Sequence, residues 1–477
     1  MASFSAPTDL FSLDRKIALA ARALDGWRGD LAVDPRFDDD DPIGQWKELA
    51  SKTTIEAIAK STLAPISMTP PMLLSSGEVA AEALSATLDP LATLRPAAAS
   101  WCAHLLIARG LREATAARAA AARDDLDSDS YGRPTSLRAM LRALARPRQA
   151  GGVPEGRAAA AIEDLAPQLL DSIVDEESRR RESADGLGVL GKCCRDVDAG
   201  AVECAEALLT QTDDEAADLL AHGLRMIGRE KKGATWIDVL AVRRAADVAE
   251  GWPNALTARW LAELSRGTEL FAGLQLDVRV DAGRLGPRAD HACLRLTPPT
   301  GAWTFARGLY AVGVALRIHG RDAKAPYASH TVPHDRRPFV VGEAFLALAS
   351  TAVFHARARG VARIKAEASA RRLETTRLLE RRHLALRVCL GAALAENRRT
   401  FLERFEALAP RAIGAETPRA LATLLGAPGP TGPADDAARL QAIDEGALLA
   451  KELVDRFDVD WWRNPKAAGW IRDRCVR

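Results

Sequence analysis

The chain has 477 residues, and its 65 lysine and arginine residues almost balance its 64 aspartate and glutamate residues. The resulting net charge of +1 argues against a nucleic-acid-binding protein, which usually carries a basic excess or patch. A hydrophobic fraction of 48% argues against a disordered chain, and the length predicts two or three domains, or two lobes that share a cleft. Because alanine, leucine, arginine and glutamate favour helices, the composition predicts a mainly α fold.

Two breaks rich in proline and glycine divide the chain into three predicted regions. They lie at 147–156 and 427–433, where surface connections are expected. The predicted regions are an N-terminal helical region (1–150), a helical core (151–426) and a C-terminal helical tail (427–477).

The cysteines and the apolar segments favour a cytoplasmic protein with no membrane partner. The seven cysteines form no CxxC pair, which favours reduced thiols over a zinc knuckle or a disulfide framework. The first residues show no basic segment followed by an apolar one, so no signal peptide is predicted. The most apolar long run, 339–354, is interrupted by Glu343 and predicts a buried core helix. The preference for arginine over lysine is typical of a GC-rich bacterial genome.

One segment breaks the helical pattern and predicts a β-hairpin over residues 274–297. Its first half alternates apolar and polar residues, as a half-buried strand does, with apolar positions at Leu274, Leu276, Val278 and Val280. Gly283 and Gly286-Pro287 predict the turn, and the alternation resumes before Pro298. An apolar helix is predicted next, over 305–318. Because a two-stranded ribbon needs helices to cover it, the hairpin is expected beside a cleft.

The hairpin and the helix after it resemble the thimet oligopeptidase and oligoendopeptidase family of zinc peptidases. The similar stretch runs from Trp260 to about Phe354 and includes the segment FARGLYAVGVAL at 305–316. In relatives this segment would read like LHEAGHAL, in which two histidines one helical turn apart bind zinc and the glutamate is the general base. The resemblance implies a helical, two-lobed, zincin-like body with a small sheet next to its cleft.

The residues that carry the family's chemistry are absent from the corresponding positions. The first zinc ligand falls on Tyr310, the general base on Ala311 and the second ligand on Val314. The third ligand falls on Glu343 or, two residues earlier, on Val341. The resemblance therefore implies an inactive peptidase fold without a cofactor. Such a fold could still bind a peptide or protein along the hairpin residues Leu274, Leu276, Val278 and Val280, because strand addition uses backbone hydrogen bonds.

Two other hypotheses stay open from the sequence. The first is a divergent zinc peptidase that uses His330, His334 and Glu343, or His291 and His319. Pro333 argues against a helical His330–His334 pair, since proline disrupts a helical turn. The second is a helical scaffold or interaction protein unrelated to peptidases. A Cys293–His291 pair on one strand face is a weaker candidate for a nucleophile.

Overall fold

The computed structural model describes residues 10–31, 41–60, 90–121, 125–126, 135–136, 155–245, 278–280, 288–296, 302–320, 325–429 and 431–476. Over these ranges the chain is mainly helical and carries a small three-stranded sheet, so the predicted fold class is confirmed at that level. The helices before the sheet are α1 (Leu10–Leu31), α2 (Lys52–Lys60), α3 (Pro90–Gly110), α4 (Arg112–Ala121), α5 (Glu155–Ala184), α6 (Gly188–Arg195), α7 (Ala199–Gln211), α8 (Asp213–Met226) and α9 (Trp236–Arg243). A pair of two-residue strands, β1 (Asp125–Leu126) and β2 (Thr135–Ser136), lies between α4 and α5.

The second half of the chain holds the sheet and the longest helix. The strands are β3 (Val278–Val280), β4 (Arg288–Ala289) and β5 (Leu294–Leu296). The helices that follow are α10 (Ala302–His319), α11 (Tyr327–His330), α12 (Arg337–Leu348), α13 (Ala352–Arg359), α14 (Arg363–Glu396), α15 (Arg398–Ile413), α16 (Pro433–Phe457) and α17 (Pro465–Val476).

The apolar run at 339–354 forms a core helix as predicted, but the run is split between two helices. Pro338 begins α12, where its fixed φ suits the first helical turn, and most of the helix is buried. The chain then bends, and α13 starts at Ala352. Among the described helices, none alone is long and apolar enough to cross a membrane; α12 and α13 meet that criterion only as a pair bent by 75°.

The sheet differs from the predicted hairpin in its pairing. β5 is central: it pairs in parallel with β3, opposite Val278–Val280, and antiparallel with β4. The antiparallel reversal lies at Asp290–Cys293, where the Asp290 carboxylate accepts hydrogen bonds from the Ala292 and Cys293 N–H groups. The predicted hairpin pairing was wrong, because the strand that pairs antiparallel with β5 is β4, which this side-chain turn connects to β5. Leu274, Leu276 and the predicted turn lie outside the described residues.

The buried apolar side chains form three main cores. The first is built by α1, α3 and residues 43–58, the second by α5, α7–α9, α14 and α15, and the third by β5, α10, α12 and α17. Helix α16 contributes to two of them, with Leu440 and Ile443 in the second core and Leu449 and Leu453 in the third. The limits of the three predicted regions stay predictions.

Three helices approach one another closely because glycine stands at each contact. A Cβ atom on Gly313 of α10 would lie 2.5 Å from the Val341 carbonyl oxygen of α12. A Cβ atom on Gly446 of α16 would lie 2.3 Å from the Glu343 Cβ atom and 2.9 Å from the Val340 carbonyl oxygen, both on α12. Because these neighbours are backbone or the first side-chain carbon, they cannot rotate away. Helix α12 is therefore held between α10 and α16 at distances that only glycine permits.

We expect Gly313→Ala to lower the free energy of unfolding by about 2 kcal/mol or more, because the added methyl group meets the backbone of α12. The matched control is Gly469→Ala in α17, where a Cβ atom would meet nothing within 4 Å. That control is expected to raise stability by up to about 1 kcal/mol through helix propensity. Urea unfolding of the two variants measures both effects. Equal, small changes in the two would contradict the close contact of α10 with α12.

Candidate functional site

The α10–α12 contact brings together the positions that the resemblance assigns to the zinc ligands. A Cβ atom on Gly342 would lie 2.8 Å from Val314 Cγ2 and 2.9 Å from Tyr310 Cε2, so both side chains face α12. Ala311 lies fully buried on the same helix. The side chains at the first and second predicted ligand positions, Tyr310 and Val314, thus both face Gly342, the residue just before Glu343. Of the two, only Tyr310 has a polar side-chain atom.

Glu343 is buried and is held by two arginines of α14. Its Oε2 atom accepts a hydrogen bond from Arg377 Nη2 at 3.2 Å and lies 3.6 Å from Arg381 Nη2. Arg336 and Arg337, the arginines nearest to Glu343 in the sequence, do not pair with it. Arg336 pairs with Glu445 and Arg337 with Asp335, because both lie at the start of α12, about two turns before Glu343.

Glu343 and Tyr310 belong to a larger set of buried and half-buried polar side chains, mostly charged, which we call the arginine cluster. Its members come from five helices that meet between the second and third cores. They are Arg243 of α9, Arg307 and Tyr310 of α10, Glu343 of α12, Arg377, Glu380, Arg381 and Arg387 of α14, and Asp436 and Arg439 of α16.

The three carboxylates of the arginine cluster are ion-paired. Glu343 pairs with Arg377 and Arg381, and Glu380 Oε1 lies 2.7 Å from Arg243 Nε. Both oxygens of Asp436 accept hydrogen bonds from Arg387 Nη2. Burial opposes ionisation of Glu380, but the positive charge of Arg243 outweighs it and lowers the Glu380 pKa.

Tyr310 is linked to Arg439. The guanidinium carbon of Arg439 lies 5.6 Å from the centre of the Tyr310 ring. Burial raises the pKa of Tyr310, so its phenol keeps its proton at neutral pH. The nearby Tyr310 oxygen and Asp436 raise the pKa of Arg439 against the effect of its burial. The positive charge of Arg439 therefore lies beside Tyr310, the residue at the first predicted ligand position.

His383 lies beside the arginine cluster but adds no charge to it. Its Nε2 atom donates a hydrogen bond to the Leu425 carbonyl oxygen at 2.7 Å. Burial, together with the positive charge of Arg243, lowers the pKa of His383 to about 3. The imidazole is therefore neutral at physiological pH.

The structure does not bring His330, His334 and Glu343 together. His330 is buried and donates from Nε2 to the Arg317 carbonyl oxygen at 2.7 Å, while His334 Nδ1 lies 2.6 Å from Asp435 Oδ1. Glu343 lies with Arg377 and Arg381. Among the residues that the structure describes, no three histidine, cysteine, aspartate or glutamate side chains are placed to hold one metal ion.

His334 instead belongs to a histidine cluster that sequence reasoning missed. Its ring meets the His104 ring of α3 edge to face, with 5.2 Å between ring centres, and its backbone adopts a φ of 60° in the left-handed region. His291 Nδ1 lies 2.7 Å from the Tyr327 hydroxyl group. Trp101 contacts both His104 and His291 through ring edges. We define the histidine cluster as His104, His291 and His334 with Trp101, Tyr327 and Asp435.

Burial controls the charge of the histidine cluster. It lowers the pKa of His291 to about 4, and it lowers that of His104, beside His334, well below the usual value. Burial opposes ionisation of Asp435, but the charge and hydrogen bond of His334 lower its pKa to about 2. The cluster joins α3, the β4–β5 turn, α11 and the start of α16. It is also linked to α1, because Asp25 of α1 accepts a hydrogen bond from the His291 N–H group.

The other sequence candidates lie apart. His319 Nε2 donates to the Asp290 carbonyl oxygen at 2.8 Å, and burial lowers its pKa to about 4. Cys293 is fully buried next to the β4–β5 turn, whereas the His291 ring contacts Tyr327. Val278 is 44% exposed on β3, and the side chain of Val280 is not described.

Comparison of the chain with protein-family models, curated proteins and solved structures finds no match. The oligopeptidase resemblance therefore stays a prediction that depends on the residues quoted above.

Four histidines, two of them buried and two half-buried, predict that the free energy of unfolding falls as the pH drops from about 6.5 to 4. Folded pKa values near 4 for His291, His319 and His355, and near 3 for His383, lie below the unfolded value of 6.5. In that window the unfolded chain takes up protons that the folded chain does not. Each histidine then contributes up to about 1.4 kcal/mol of destabilisation per pH unit.

Urea unfolding between pH 7.5 and 4.5 measures this dependence. His383→Gln is expected to reduce the slope of the free energy of unfolding against pH by the contribution of about one proton. The reason is that glutamine can donate to the Leu425 carbonyl oxygen without titrating. His222→Gln, at an exposed position of α8, is the control and is expected to leave the slope unchanged. Identical slopes for both variants would contradict the neutral, buried state of His383.

Proposed function

We propose that the chain is a non-catalytic peptide- or protein-binding protein, built on a helical body that resembles the zinc oligopeptidases. The observation that carries the proposal is the side chain of Arg439 beside Tyr310. It places a permanent positive charge at the position where the resemblance implies the first zinc ligand.

The residues at this position do not fit a zinc ion. The side chains of Val314 and Ala311 have no lone pair to donate, and the Tyr310 phenol is protonated and lies beside the Arg439 guanidinium group. Glu343, the remaining carboxylate, is neutralised by Arg377 and Arg381. Zinc binding requires deprotonated ligands and space for a dication, and six arginines in the arginine cluster oppose both.

Strand β3 supports peptide binding. Among the described strands it pairs only with β5 and lies at one end of the sheet, and Val278 and Arg279 are exposed on it. An extended peptide adds to such an edge through backbone hydrogen bonds and needs no metal.

Peptidase activity and metal content test the non-catalytic part of the proposal. The purified, untagged protein is expected to contain less than about a tenth of an equivalent of zinc, and to leave a peptide mixture intact whether or not a chelator is present. Elemental analysis and mass spectrometry of the peptide mixture give these results. About one equivalent of zinc together with chelator-sensitive cleavage would contradict the proposal.

The binding part is tested at the β3 edge. Peptides selected from a random displayed library are expected to lose at least about tenfold in affinity with Val278→Lys, since a charge at an edge position disfavours strand addition. Val459→Lys is the control, because Val459 is a similarly exposed valine, at 41%, outside the sheet. Recovery of no binding peptide, or equal affinity for the two variants, would count against a role for β3.

A further inference from the structure

Arg307 is a cation without a counter-charge of its own. It lies on α10, one turn before Tyr310, and makes no ion pair or hydrogen bond with any residue that the structure describes. Its surroundings are mostly positive: burial and the charge of Arg439 lower its pKa, and Arg387 acts in the same direction. The nearest opposing charge is Glu380, which already pairs with Arg243.

Positive charge exceeds negative charge throughout the arginine cluster. Six guanidinium groups face three carboxylates, and each carboxylate is paired with a guanidinium group other than those of Arg307 and Arg439. The exposed Asp444, which acts on Arg381, reduces the excess from three charges to two. Half-buried charge without a partner in the protein is unfavourable, so an excess of this size favours a bound anion.

The arginine cluster also lacks hydrogen-bond acceptors. The Nε atoms of Arg377, Arg381 and Arg387, and Nη2 of Arg381, are buried and donate no hydrogen bond to a described group. Arg307 and Arg439 are half-buried, so part of each residue remains accessible to solvent. Tyr310 lies one turn after Arg307 on α10 and beside Arg439.

We propose that Arg307 and Arg439, with the Tyr310 hydroxyl group, form a binding site for a phosphate group. The guanidinium groups supply paired N–H donors that match phosphate oxygens. The Tyr310 ring lies beside Arg439, and its hydroxyl group keeps a proton that it can donate to the ligand. A phosphate dianion matches the excess of two to three positive charges, whereas a single carboxylate leaves most of it unbalanced. This site goes beyond the proposed peptide binding and does not depend on strand β3.

Isothermal titration calorimetry with inorganic phosphate and with phenyl phosphate, each against chloride at equal ionic strength, tests the site. One equivalent of phosphate is expected to bind, and Arg307→Gln is expected to weaken binding at least about tenfold. Tighter binding of phenyl phosphate would indicate a phosphomonoester ligand, and tighter binding of inorganic phosphate would indicate the free ion. Arg363→Gln is the control, since that side chain is 90% exposed on α14 and the substitution removes the same charge.

Thermal unfolding gives a second readout that a merely structural role would not produce. In phosphate-free buffer Arg307→Gln is expected to unfold at the same or a higher temperature than the unsubstituted protein, because it relieves repulsion. In phosphate the order is expected to reverse, because only the unsubstituted protein gains a ligand. No phosphate binding, equal affinity of the Arg307→Gln variant, or acetate binding in preference to phosphate would each overturn the proposal. A lower unfolding temperature of Arg307→Gln without phosphate would also overturn it, since Arg307 would then have a counter-charge in the protein.

Discussion

The close contact of α12 with α10 and α16 is the constraint on which the rest of the structure depends. Gly313 and Gly446 remove the side chains that would separate these helices, so the backbones meet at Val341 and Val340. Tyr310 of α10 faces Gly342 of α12 and lies beside Arg439 of α16. Glu343 of α12 meets Arg377 and Arg381 of α14.

This packing accounts for an unusual interior. A mainly apolar helix pair is bordered by charged side chains that cannot reach bulk water freely, and arginine is the cation best suited to such a place because it stays charged and forms several hydrogen bonds. Glu343, Glu380 and Asp436 satisfy part of that charge through ion pairs. The remainder lies at Arg307 and Arg439, next to the helix where the oligopeptidase resemblance implies a metal ion. The positive charge of these arginine side chains lies where the resemblance implies a zinc dication.

Local patterns in the sequence predicted the helical class, the core helix α12 and the apolar helix α10, because 3.6-residue periodicity and proline placement are local signals. The alternation at 274–281 predicted a strand but not its partner, since register depends on which turn forms, and the Asp290 turn set it. The partners of Glu343 and the histidine cluster were missed for a related reason. Arg377 is 34 residues from Glu343, and His334 is 101 residues from Asp435, so no spacing rule joins them. Arg377, Arg381 and Arg387 of α14 resemble a solvated helix face in sequence, and only tertiary packing shows that they are half-buried against carboxylates of α12 and α16.

Anomalous diffraction from crystals grown with selenate, a phosphate analogue, and zinc together tests the central claim most directly. Data at the two absorption edges locate each ion independently. The account predicts a selenium peak within hydrogen-bonding distance of Arg307 and Arg439, and no zinc peak beside Tyr310, Val314 and Glu343. A zinc peak at those three residues, with no selenium peak at the two arginines, would contradict it.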